Sequence, residues 1–207
     1  MKTLVMGNEA VALGALEAGL TFFAAYPITP ASEIMHELAG REPEIAFVHA
    51  EDEIASIHMA IGASLAGRKA MTSTSGPGMS LKQEGIGLAY MMEAPLVVVD
   101  VQRVGPSTGM PTLAAQGDIL QAAHGSHGDY VPIVLYPSSV EECYRVTIEA
   151  FNAAEEARGP VILLLDGYLS HLQETVDLEA VRVEVRPRTL APLGAGPVLD
   201  LGCGHGR

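Results

Sequence analysis

Hydrophobic and polar positions along this chain alternate in blocks that switch between two periods. Short apolar runs at Lys2–Met6, Thr21–Ala25, Ile45–His49, Lys69–Ser73, Leu96–Val101, Val131–Tyr136 and Pro160–Asp166 have the length of strands. Their apolar continuity, with valines following one another in Leu96–Val101, is that of strands buried on both faces. Between them lie stretches of helical spacing: Glu9–Ala18, Ala31–Ala39, Glu51–Ala66, a helix that follows the Gly76-Pro77-Gly78 turn and runs to about Met92, Leu113–Ala123 and Val140–Ala157. Gly19, Gly40 and Gly67 stand just past three of these helices and are expected to close them. Strand and helix in turn predict an α/β fold: an open, mainly parallel sheet with helices on both faces. From about Ser170 the texture changes, with charge mixed among alternating valines over Glu174–Arg188 and then Pro, Gly and Ala. Residues 1–170 are therefore expected to form one α/β domain, and 171–207 a linker or truncated C-terminal segment.

Composition narrows the function classes. The chain has 207 residues, 48% of them hydrophobic but only 5% aromatic, so its core must be aliphatic and packed with Ala and Gly. Twelve basic residues against 25 acidic ones give a formal charge of −13, which argues against nucleic acid as a partner. No apolar run reaches the roughly 18 residues of a membrane span. Two cysteines, Cys143 and Cys203, make neither a disulfide framework nor a metal-ligand pattern, and the expected location is a reducing cytoplasm. The N-terminus has no signal-peptide cleavage region and reads as a first strand.

Candidate chemistry collects where strands are expected to end, the edge at which open α/β sheets bind ligands. Tyr26-Pro27-Ile28-Thr29-Pro30 sets one hydroxyl between two prolines that forbid both a further ladder bond and an immediate helix. Pro30 alternatively does no more than open the next helix. Glu51-Asp52-Glu53 begins the long helix, where acids complement the macrodipole. At about 100° per residue, Ile54, Ile57, His58, Ile61 and Leu65 form one apolar stripe. Asp52 faces away from that stripe and Glu51 and Glu53 flank it, so either could be partly desolvated and suited to proton work. Thr72-Ser73-Thr74-Ser75-Gly76-Pro77-Gly78 brings hydroxyls and bare backbone to the same edge, without the Gly-Lys-Ser/Thr ending of a phosphate loop. Arg103 follows the valine strand directly, where a guanidinium can fork onto a carboxylate, and a Gly/Pro-rich loop carries on to Thr112. His124 and His127 lie among glycines with no third ligand in view.

Taken in order, Tyr26–Glu33, Glu51-Asp52-Glu53-Ile54-Ala55, Thr74–Gly78 and the Arg103–Thr112 loop resemble the alpha subunit of 2-oxoacid:ferredoxin oxidoreductases. The resemblance covers roughly residues 1–170 and implies the pyrimidine-binding module of a thiamine diphosphate enzyme. It implies that Glu53 shares a proton with the aminopyrimidine ring, favouring the imino tautomer that deprotonates the thiazolium carbon. It gives Tyr26, Pro27, Ile28, Thr74, Ser75 and Gly76 cofactor contacts, and gives Thr29, Arg103 and Thr112 a grip on the 2-oxoacid carboxylate. The implied reaction is oxidative decarboxylation of a 2-oxoacid, 2-oxoglutarate first among candidates, to an acyl-coenzyme A with electrons passed to ferredoxin.

Partners follow from what the sequence does not offer. No cysteine pattern suits an iron–sulfur cluster and no Gly-Asp-Gly…Asn segment suits Mg²⁺ and diphosphate. A beta subunit with a diphosphate-binding module is expected to supply Mg²⁺, and partner subunits the iron–sulfur cluster. Ala31 stands where many relatives carry serine, and the second domain usual in such subunits is missing. Pro197–Arg207 resembles the first glycine-rich motif of S-adenosylmethionine-dependent methyltransferases, without the helix and acidic residue that would complete it. Two alternatives remain open on sequence: a subunit of a split non-oxidative thiamine-dependent decarboxylase, and a non-catalytic truncated assembly module.

Overall fold

The structure, a computed structural model, describes residues 2–188. Its elements run β1 (Thr3–Met6), α1 (Gly7–Glu17), β2 (Phe22–Ala25), α2 (Ser32–Ala39), β3 (Ala46–His49), α3 (Glu53–Leu65), β4 (Ala70–Thr74) and α4 (Gly76–Met91). There follow β5 (Leu96–Gln102), α5 (Ile119–His124), β6 (Ile133–Leu135), α6 (Val140–Ala157), β7 (Pro160–Asp166), α7 (Gly167–His171) and β8 (Gln173–Val176). Six strands form one wholly parallel sheet in the order β3-β2-β4-β5-β7-β6. All seven positions of β5 and of β7 are buried, as continuous apolar runs require in a sheet covered on both sides.

Alternate residues of the central strands feed two cores. Met71, Val97, Val99, Val101, Val161, Leu163 and Leu165 pack with α1, α2 and α6. Ala70, Leu96, Val98, Ile162 and Leu164 pack with α3, α4 and Ala122 of α5. With few aromatic side chains available, close backbone approach replaces bulk: a Cβ on Gly14 of α1 would lie 2.5 Å from the Tyr144 carbonyl of α6. Helix α6 is the amphipathic helix expected. Ser139 caps it by accepting from the Glu142 amide at 3.1 Å, and Arg145 pairs with Glu142 and Glu149 on its outer face.

Three expectations need correction. The first strand is outside the parallel sheet: β1 pairs antiparallel with β8 in a two-stranded ribbon. Its Leu4 is exposed, so a short apolar run at the chain start did not amount to a both-face buried strand. The helix expected over 113–123 is only Ile119–His124, because the Gly/Pro-rich loop continues through residue 118. Residues 171–188, expected to leave the domain as a linker, instead lie on it. After β8 they cross the amino ends of the strands, where Lys69 Nζ bonds the Arg186 carbonyl and Arg188 forms a buried ion pair with Glu155 at 2.7 Å. The Arg188 guanidinium also donates to Ser64 Oγ at 2.9 Å. The methyltransferase-like motif of 197–207 lies outside the described residues. Among the described residues no helix is long and apolar enough to cross a membrane.

The strand order creates one topological break that matters for function. From β2 the chain steps outward to β3, then returns to lay β4 on the other side of β2. Helix α2 therefore leaves β2 toward one face while α4 leaves β4 toward the other. The β2–β4 ladder also stops after Phe22↔Ala70 and Phe23↔Met71, whereas β2 pairs with β3 through Ala25. The carboxyl ends of β2 and β4 thus diverge into the crevice where this class of sheet takes its ligands.

Candidate functional site

The Tyr26–Pro30 loop enters this crevice from the end of β2. Its geometry is held from beneath by Asn8, fully buried in α1, whose amide donates to the Pro30 carbonyl at 2.8 Å and to Glu33 Oε2 at 3.0 Å. Tyr26 and Thr29 are exposed, Pro27 is half-buried, and Ile28 packs against the core beneath α1 and α2. Ala31 is the buried cap residue of α2, so Pro30 precedes the helix instead of forming its first turn.

Facing it, β4 ends in Thr74 and Ser75 stands at the N-cap position of α4, both fully buried, with the Ser75 hydroxyl unpartnered. Gly76 and Pro77 are not a turn before the helix, as expected, but its first two residues. Proline fits there because that amide has no intrahelical partner. Close approach explains Gly78: a Cβ there would sit 2.1 Å from Thr74 Oγ1 and 2.6 Å from Glu53 Oε1. Glu53 therefore lies against the first turn of α4, in the company of Thr74.

Helix α3 itself begins at Glu53, two residues later than expected, because Asp52 is its cap, accepting from the Ala55 amide at 2.6 Å. Glu51 is exposed and precedes the helix. The buried face runs through Glu53, Ser56, Ile57, Ala60, Ile61 and Ser64, while Ile54 is 48% exposed and His58 is exposed. The apolar stripe as read was thus rotated. Glu53, at 6% exposure, belongs to the buried face itself and not to its rim. Its carboxylate accepts no hydrogen bond among the described residues, while its backbone carbonyl accepts from Lys82 of α4 at 3.2 Å.

Arg103 closes the constellation from β5. It is 5% exposed and reaches across the end of β4 to donate from Nη1 to the Thr29 carbonyl at 2.7 Å. Its Nε is buried and unpartnered. Beside it opens a cavity of about 490 Å³ lined by Gly76, Pro77, Arg103, Gly105, Ser107 and Asp118, among others. Thr112 is exposed on the return arm of the loop, where Val104 donates to the Leu113 carbonyl at 2.9 Å, and it does not line the cavity. So Thr29 with Arg103, and Glu53 with Thr74, are brought together directly. His124 and His127 are exposed, and no described cluster of His, Cys, Asp or Glu is placed to hold a metal.

Two acids at this edge escaped the reading of the sequence. Asp100 is fully buried on β5, beside Asp118 from the end of the loop. Burial first, then the Asp118 charge, pushes the Asp100 carboxyl well above its ordinary value, which favours its protonated form. Asp118 in turn is raised by burial, against the opposing Asp100 hydrogen bond and the Arg103 charge. A lone acid inside an otherwise aliphatic strand was the signal. Its pH consequence has a definite sign: above the unfolded value of 3.8, and until pH passes the raised native value, the native state holds the extra proton. Stability therefore falls as pH rises through that window. Asp100→Asn, which keeps a neutral donor, is expected to flatten that part of the profile; parallel urea-denaturation profiles for wild type and variant would contradict it.

A parallel sheet whose carboxyl edge gathers a buried carboxylate, a buried guanidinium and buried hydroxyls at its topological break defines a ligand-binding α/β module. Residues 13–195 match the family described as "Pyruvate flavodoxin/ferredoxin oxidoreductase, thiamine diP-bdg", and the chain belongs to that family of thiamine diphosphate-binding domains. Over 176 residues the chain is 56% identical to the 2-oxoglutarate synthase subunit KorA of Methanocaldococcus jannaschii, covering 84% of this chain and 48% of that protein. The ketoisovalerate oxidoreductase subunit VorB of Methanothermobacter thermautotrophicus is 47% identical over 189 residues, covering 90% of this chain and 53% of that one. Among solved structures, a 2-oxoglutarate:ferredoxin oxidoreductase from Magnetococcus marinus, with 2-oxoglutarate, coenzyme A and succinyl-CoA bound, superposes with a TM-score of 0.86. It is 46% identical, with 94% of this chain and 34% of that one covered. The chain spans about half the length of the KorA and VorB relatives from Methanocaldococcus jannaschii, Archaeoglobus fulgidus and Methanothermobacter thermautotrophicus.

Proposed function

We propose that this chain is the alpha-type portion of a thiamine diphosphate-dependent 2-oxoacid:ferredoxin oxidoreductase that acts on 2-oxoglutarate and works only when assembled with a beta subunit. The observation that carries the reading is a buried Glu53 carboxylate set against Gly78 and Thr74, at the sheet edge where Arg103 donates to the Thr29 carbonyl. The residues present fit the pyrimidine end of the cofactor. A buried carboxylate without a described hydrogen-bond partner lies against Gly78, where any side chain would collide with it. When bound, thiamine diphosphate supplies the carbanion and electron-sink chemistry that amino-acid side chains lack.

This chain's own work is to bind, orient and hold protons. Glu53 presents a carboxyl to the ring nitrogen and holds a proton in common with it. Thr74, Ser75 and Gly76, together with Tyr26, Pro27 and Ile28, form the walls against which the ring is placed. Arg103 offers its unpartnered Nε to the substrate carboxylate, while its Nη1 keeps the Thr29 loop in reach. Thr29, and Thr112 if its loop closes over the substrate, add neutral donors. Mg²⁺ with the diphosphate end is assigned to the beta subunit. The iron–sulfur cluster, the outlet to ferredoxin, is assigned to partner subunits, and coenzyme A takes up the acyl group.

Preference for 2-oxoglutarate rests on the names of the more identical relatives and of the solved structure. Co-expressed with its beta partner, the complex is expected to reduce ferredoxin or a viologen dye with 2-oxoglutarate, dependent on thiamine diphosphate and coenzyme A. Its kcat/KM for 2-oxoglutarate should exceed that for pyruvate or 2-oxoisovalerate by at least about tenfold. Free aldehyde without acceptor reduction would instead indicate the non-oxidative decarboxylase.

Gly78 gives a second test at the same place. In a helix interior alanine would normally gain about 1 kcal/mol over glycine. Here the added methyl overlaps Thr74 and Glu53, an overpacking cost of about 1–3 kcal/mol. Gly78→Ala is thus expected to weaken thiamine diphosphate binding by about tenfold or more without a gain in stability, measured by calorimetry on the assembled complex. Unchanged affinity would place the ring elsewhere.

A further inference from the structure

We propose that Lys82 is a positioning residue for Glu53, clamping the amino end of α3 to β4 and opposing the carboxylate charge from inside the domain. The inference rests on the assignment of Glu53 to the cofactor ring.

Lys82 lies two turns into α4 with no exposed surface. Its ammonium donates to Thr72 Oγ1 at 3.0 Å, to the Glu53 carbonyl at 3.2 Å, and to Ser56 Oγ. All three donors of the ammonium are thereby used, and every acceptor is neutral. No carboxylate touches it, so the desolvation of a full charge is not offset by an ion pair. A methionine of similar volume would fill the space more cheaply, which makes stability a poor reason for a lysine here.

What the lysine does accomplish is local. Thr72 belongs to β4, while Glu53 and Ser56 are successive turns of α3, so one side chain of α4 joins all three elements at the base of the crevice. Gly78, one turn earlier in α4, leaves the Glu53 carboxylate held against the same helix. The charged groups facing the ammonium are Glu53 and Asp52 of α3; β4 offers only the hydroxyls of Thr72 and Thr74, and the first turns of α4 carry no other charge. Burial lowers the lysine to about 7, with Glu53 and then Asp52 pulling it back up. While charged, it sets a buried positive charge inside the domain that opposes the charge of the Glu53 side chain.

The test uses the complex assembled with its partner and reads two quantities: thiamine diphosphate affinity by calorimetry, and the acid limb of the kcat–pH profile. Lys82→Met is expected to weaken affinity by about tenfold and to move the acid limb upward by about one pH unit. The 2-oxoglutarate KM should stay within about twofold. Thr72→Val, which removes one acceptor but keeps the charge, should weaken affinity by about threefold and leave the limb in place. An assembled Lys82→Met complex with wild-type affinity and wild-type acid limb would overturn the proposal. If that variant does not assemble, Thr72→Val and Ser56→Ala decide: reduced affinity supports the clamp, and wild-type affinity in both overturns it. A wild-type complex that binds no thiamine diphosphate would instead overturn the functional reading itself.

Discussion

Replacing Glu53 by glutamine in the assembled complex is expected to lower kcat for 2-oxoacid oxidation by about 10²–10⁴-fold, the range for losing a positioned acid–base group. Glutamine keeps the shape and can still hydrogen-bond the ring, but it has no proton to share. The loss should therefore fall on kcat and leave the 2-oxoglutarate KM little changed, because Glu53 acts on the cofactor and not on the substrate. Glu53→Ala should lose at least as much kcat and in addition weaken cofactor binding. Steady-state kinetics with saturating thiamine diphosphate separates these outcomes. Undiminished kcat in either variant would refute the role given to this side chain.

The second large effect belongs to Arg103. Its charge-assisted hydrogen bond to the Thr29 carbonyl spans the crevice, and its Nε is buried and unpartnered. Arg103→Leu removes a bidentate carboxylate partner and frees the Tyr26–Pro30 loop from one of its two tethers, Asn8 being the other. We expect kcat/KM for 2-oxoglutarate to fall by about 10²–10³-fold, most of it through KM. Lysine is not a conservative replacement, since one point charge cannot serve the carboxylate and Thr29 together. Arg103→Lys should therefore recover less than about a tenth of the lost kcat/KM. The opposite pattern, a kcat loss at constant KM, would move Arg103 away from substrate binding.

The parallel sheet and most of its helices were readable because their signals are strong and local. Leu96–Val99 and Val161–Leu165 are unbroken apolar runs, and such runs have no place except between two layers of helix. The edge to which the candidate chemistry is assigned was readable for the same reason: strand ends were visible, and with them the positions of Thr29, Thr74–Gly76 and Arg103 at that edge. What the sequence could not reveal was set by tertiary context. Thr3–Met6 is apolar enough for a strand, but its partner is a segment about 170 residues away, and pairing at that distance leaves no local mark. The rotation of the α3 face was missed because Ile54 and Met59 are exposed while the polar Ser56 and Ser64 are buried. Hydrophobic periodicity fails where a buried lysine and an arginine need hydroxyls as partners.

Those exceptions lie at or beside the residues to which function is assigned above. Lys82 is the sole basic residue of the Ser75–Met91 segment and looks like an ordinary surface lysine in sequence, although no part of it is exposed. Asp100 is hidden by the valines around it, and Asn8 by a first turn that reads as a strand end. Each is a buried polar group, which costs free energy unless its partners are arranged in advance. Only the fold shows those partners.

The most direct measurement is exchange of the thiazolium C2 proton of thiamine diphosphate bound to the assembled complex, followed in deuterated water by quenched-flow NMR. With Glu53 supplying the shared proton, wild type should exchange about 10²–10⁴ times faster than Glu53→Gln, while cofactor affinity differs by less than about tenfold. Equal exchange rates at equal occupancy would contradict the assignment of Glu53 to the cofactor ring.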